Sequence, residues 1–102
     1  MNKLILCAAA GAAALTANAA LAEDVNVAFF LEWATPNQIA KVEKTYDDAM
    51  GVDVNWTDFA TGVGMSEAML AGDIDISYSQ GLAPFVTAVQ QGAPLKMVAI
   101  AV

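Results

Sequence analysis

Beyond residue 23 the chain repeats one rhythm: a short apolar run, a polar loop, then an amphipathic stretch closed by glycine. The first run, 25–31 (Val-Asn-Val-Ala-Phe-Phe-Leu), is β-branched and aromatic, with apolar residues on both faces towards its end, which predicts a buried strand. Thr35-Pro36-Asn37-Gln38 then reads as a helix start: Thr35 as N-cap, Pro36 at the first helical position, Gln38 completing a capping box. Ile39, Val42, Tyr46 and Ala49 follow at helical spacing, Lys41, Glu43, Lys44 and Asp47 face away, and Gly51 offers a left-handed stop.

The rhythm repeats. Val52, Val54 and Trp56 alternate with Asp53, Asn55 and Thr57, the pattern of an edge strand with one wet face, closed by Phe59. Thr61-Gly62-Val63-Gly64 turns into a short helix through Met65, Ala68 and Met69 that ends at Gly72. A third strand is expected over 74–78, a turn at Ser79-Gln80-Gly81, and a helix with Pro84 in its first turn running to Gly92. After Pro94, the apolar run 95–102, broken only by Lys96, predicts a central parallel strand. Four strands alternating with three helices define an α/β chain: a partial parallel sheet of βα units with right-handed crossovers. A strand buried on both faces leaves such a sheet uncovered, so the chain reads as the N-terminal part of a longer protein.

The first 22 residues break the rhythm. Met-Asn-Lys, an apolar run over 4–15 and a small-residue exit are the three parts of a secretory signal peptide. Ala20-Leu21-Ala22 lies directly before Glu23-Asp24, placing cleavage after Ala22, and the apolar run is shorter than the roughly 20 residues of a bilayer span. Cleavage leaves 80 of 102 residues, near the lower limit for a self-sufficient core. It also removes Cys7, the single cysteine, so the mature piece holds neither Cys nor His. Disulfides, thiol nucleophiles, His-based triads and imidazole metal sites are thereby excluded from it. Loss of Lys3 takes the net charge from −7 to −8, which disfavours nucleic acid and anionic membranes as partners.

In an open parallel sheet, ligands bind beyond the carboxyl ends of the strands. Three loops converge there. Glu32-Trp33 suits an ammonium group through charge and cation–π contact, or else is a Trp covering the sheet end beside a solvated Glu. Thr61 and its two glycines open a helix whose N–H groups are free for an anionic oxygen, or else form a tight turn capped by Thr61. The stretch lacks the Gly-Lys-Ser/Thr of a phosphate loop and the third glycine of a dinucleotide fingerprint. Ser79 and Gln80 add a neutral hydroxyl and amide, which bind rather than catalyse. Asp73 and Asp75 read as a solvated face, and Met65, Met69 and Met97 as core filler; no metal site or cofactor is expected.

The order of motifs over 52–102 carries a resemblance. Trp56-Thr57-Asp58-Phe59 with a following glycine, Ala71-Gly72-Asp73-Ile74-Asp75-Ile76, and Gly92-Ala93-Pro94 entering an apolar run resemble the first lobe of bacterial ABC-importer binding proteins for taurine, aliphatic sulfonates and nitrate. Glu32-Trp33-Ala34-Thr35-Pro36-Asn37 also looks like the Trp-x-x-Pro-Asn start of relatives that bind thiamine-pyrimidine precursors. The resemblance implies a two-lobe periplasmic fold, of which 23–102 is the incomplete first lobe. It implies a monomer that closes on a small ligand and delivers it to a membrane permease, with Glu32, Trp33, Thr61, Ser79 and Gln80 in ligand-facing loops. Taurine ranks first among ligands. The same fold also hosts enzymes, a reading weakened by the leader and the missing Cys and His.

Overall fold

The computed structural model describes residues 22–33 and 35–100; the signal peptide expected over 1–22, apart from Ala22, lies outside the described residues, as do Ala34, Ala101 and Val102. Three strands, β1 (Val25–Phe29), β2 (Val54–Asp58) and β3 (Ile76–Ser77), form a parallel sheet in the order β2-β1-β3. Four helices connect and follow them: α1 (Asn37–Val42), α2 (Thr45–Met50), α3 (Gly62–Ala71) and α4 (Leu82–Gln90). β1 occupies the centre because it is apolar on both faces, with Val27, Ala28 and Phe29 all buried. β2, with one wet face, takes an edge, in register Val25 with Val54 through Phe29 with Asp58.

Period-two alternation along β1 divides the core into two layers. On one face Ala28 packs with Met65 and Ile74, joined by Phe30, Phe59, Ala68 and Met69; this is the α3 side. On the other, Phe29 meets Trp56 edge-on at 5.9 Å, Tyr46 stacks on Trp56 at 6.2 Å, and the Lys41 ammonium sits 3.7 Å from the centre of the Phe29 ring. The α1–α2 crossover therefore covers one side of the sheet and α3 the other, the layering of a doubly covered parallel sheet.

Three departures from the sequence pattern have physical causes. The helix expected to run unbroken from Thr35 to Gly51 is two helices, because Lys44 adopts φ 54° and ends the hydrogen-bond ladder. Within α1, Lys41 lies over Phe29 while Ile39 and Val42 are exposed, the reverse of the expected faces. At the helix start Pro36, not Thr35, is the capping residue; the Thr35 hydroxyl donates to Asn37 Oδ1 and no side chain caps the helix. Finally, no strand forms over 95–100, and Met97, Val98 and Ile100 are exposed. A fourth strand needs a neighbour's ladder, and β3 spans only two residues, bracketed by Asp75 N–H to Asn26 O (2.9 Å) and Tyr78 N–H to Ala28 O (2.8 Å).

Other boundaries follow the pattern. Thr61 caps α3, its hydroxyl accepting from the Gly64 N–H at 3.0 Å, and Gly72 closes that helix at φ 85°. Among the described residues no helix is long and apolar enough to cross a membrane.

Candidate functional site at the ends of β1 and β3

The strand order fixes where a ligand fits. The chain leaves β1 for β2 on one side, then crosses back over β1 to β3 on the other, so the connection direction reverses at the β1–β3 boundary. Beyond the carboxyl ends of those strands lies the crevice of an open α/β sheet. Two loops reach it: 30–36 after β1 and 78–81 after β3.

The β1 loop carries Glu32 and Trp33, both exposed, with Trp33 tilted against Phe30 at 5.3 Å between ring centres. It ends at Asn37, which is only 3% exposed. The Thr35 hydroxyl fixes Asn37 Oδ1 as an acceptor, which turns Nδ2 away, and that nitrogen is buried with no hydrogen-bond partner. An unpaired buried donor costs about 1–3 kcal/mol. The β3 loop carries Ser79, whose Oγ is likewise buried and unpartnered and whose backbone is held at φ 62°. Left-handed backbone at a residue with a Cβ costs about 1–2 kcal/mol, and such strain gathers at ligand clamps and switch regions.

Thr61 and Gln80 are occupied otherwise. Thr61 Oγ1 is engaged by the Gly64 N–H, and Gly62, the first residue of α3, is buried against the Gln80 carbonyl and the Pro84 ring. Gln80 Nε2 donates to Gly62 O at 3.2 Å and to Ser66 Oγ, tying the β3 loop to the first turn of α3. At the first turn of α3, Gly62 is thus packed against protein and the Gly64 N–H is taken up by the Thr61 cap. The structure brings Trp33, Asn37 and Ser79 to one end of two adjacent strands and gives Thr61 and Gln80 supporting bonds. The type and position of Asn37 suit a helix start equally well, so only its unpaired burial sets it apart.

Two concavities lie elsewhere. One of about 410 Å³, lined by Asp24, Lys44, Asp47, Asp48 and Asp53, faces the amino ends of β1 and β2. The other, about 550 Å³, is a groove between α3 and α4 lined by Val63, Leu70, Pro84, Thr87 and Pro94 among others. Neither converges polar groups on the β1–β3 crevice. Among the described residues no cluster of three or more His, Cys, Asp or Glu is arranged to hold a metal ion.

Comparison of the chain with protein-family models, characterised proteins and solved structures finds no match.

Proposed function

We propose that this chain is the leader and incomplete first lobe of an extracytoplasmic solute-binding protein that hands a small sulfonate, taurine first, to the membrane permease of an ABC importer. The observation that carries the reading is the parallel sheet with its switch point between β1 and β3, followed by two loops that hold an aromatic pair and unpaired neutral polar groups. Such a set suits reversible binding, since an amide and a hydroxyl hold a ligand through neutral hydrogen bonds. The sequence resemblance over 52–102 and the expected leader supply the transport and periplasmic parts of the proposal. Glu32 and Trp33, exposed on the same loop, suit the ammonium end of taurine. In a two-lobe binder, closure is set by contacts from both lobes, so this lobe supplies one side of the ligand's partners.

A calorimetric panel tests it. Taurine and isethionate should give saturable binding without turnover to the exported full-length protein. Binding of nitrate or an aminopyrimidine in their place moves the reading to the other relatives that the sequence resembles. Conversion of any of these compounds to product replaces it with an enzyme on the same fold.

A further inference from the structure

Within this ligand-binding reading, on which the inference rests, the first turn of α3 is one candidate for the anionic oxygen of the ligand, its other reading being a tight turn capped by Thr61. The structure shows the capped turn: Gly62 is buried against the Gln80 carbonyl and Pro84, and the Gly64 N–H is taken up by Thr61. We propose instead that Asn37 Nδ2 and Ser79 Oγ form the oxygen-binding subsite, one donor from each loop flanking the β1–β3 switch point. Three independent features converge on it. Asn37 is buried with its amide orientation locked by Thr35, which leaves the N–H pair unpartnered. The Ser79 hydroxyl is buried and unpartnered as well, on a backbone held at φ 62° that a glycine would adopt without strain. Both residues follow adjacent strands whose carboxyl ends bound the crevice.

The donor set defines the ligand chemistry. An amide N–H pair and a hydroxyl, with no cationic side chain in either loop, suit an oxygen of diffuse charge such as a sulfonate or nitrate oxygen, or a carbonyl. A phosphate dianion, by contrast, calls for Arg or Lys. Because both donor atoms are covered, binding must shift side chains at the rim, and Trp33, in the loop before Asn37, reports that shift by fluorescence.

The test measures binding of taurine, isethionate, nitrate and an aminopyrimidine by calorimetry and Trp fluorescence, using the full-length protein and its Asn37→Asp, Asn37→Ala, Ser79→Ala and Ser79→Gly variants. Asn37→Asp keeps the acceptor for Thr35 and removes the donor; Ser79→Gly removes the hydroxyl and relieves the backbone. Expected is a weakening of about tenfold or more for whichever ligand the parent binds, the loss of one hydrogen bond. Ser79→Gly should do so with an unchanged or raised melting temperature, which a merely structural serine would not show. If the variants bind as tightly as the parent, the subsite is overturned while the solute-binding reading stands. If only the aminopyrimidine binds the parent, the sulfonate assignment fails and the same variants still decide the subsite. If the parent binds none of the four, both fall.

Discussion

Two glycines in the first turn of α3 should respond in opposite ways to the same added methyl group. A Cβ on Gly62 would stand 2.7 Å from Pro84 Cγ and 3.0 Å from Pro84 Cβ, and nearer still to the Gln80 carbonyl oxygen. The closest of these neighbours is backbone, and the other is a rigid ring, so the clash is relieved only by moving the β3 loop or the start of α4. Overpacking of this kind costs about 1–3 kcal/mol, and a backbone obstacle puts Gly62→Ala near the upper end. A Cβ on Gly64 meets Thr61 Oγ1 at 3.3 Å and Phe59 Cδ1 at 3.5 Å, contacts that side chains can absorb. There the helical preference for alanine, about 0.5–1 kcal/mol, offsets the crowding and leaves Gly64→Ala close to neutral. Urea unfolding followed by Trp fluorescence reads the difference. With a slope of about 1–3 kcal/mol per molar urea, Gly62→Ala should lower the midpoint by about 1–3 M and Gly64→Ala should barely move it. Because the Gln80 carbonyl adjoins Ser79, Gly62→Ala should also weaken ligand binding. Coincident midpoints for the two variants would refute the packing argument at Gly62.

Lys44→Gly should stabilise the chain by up to about 1 kcal/mol in the same assay, because Lys44 holds φ 54° at the break between α1 and α2 and glycine adopts that conformation freely. Thr61→Ala should cost about 1 kcal/mol by removing the cap on the Gly64 N–H, with loss of helical signal by circular dichroism as the local readout. Met65→Ala, at a side chain with no exposed surface between β1 and α3, should cost about 2–5 kcal/mol, with a smaller loss marking a site that collapses around the cavity. Intact-mass analysis of the exported protein should place the mature N-terminus at Glu23; retention of residues 1–22 would overturn the leader reading.

Much of this architecture is written locally. The two-faced apolar run at Val25–Phe29 demands a central strand, the one-sided alternation at Val54–Asp58 an edge, and Thr61 and Gly72 bracket α3 by chemistry that acts within a few residues. Such signals survive into the fold because the forces behind them, backbone sterics and burial period, do not depend on distant partners. The departures arise where distant partners decide. One helix becomes two at the left-handed Lys44, and α1 lays Lys41 over Phe29 with Ile39 and Val42 exposed. The apolar run after Pro94 has every local mark of a strand but no adequate ladder beside it, since strand formation needs a neighbour's backbone and β3 offers two residues.

The same division governs the candidate site. Sequence by itself determined that the chain is α/β, that residues 23–102 lack Cys and His, and that a polar loop follows each of the three strands. Only the tertiary structure decided which polar groups in those loops are free. Thr61 and Gln80 are drawn into bonds that close α3, whereas Asn37 and Ser79 are left buried without partners, because hydrogen-bond satisfaction belongs to the three-dimensional arrangement and not to residue type.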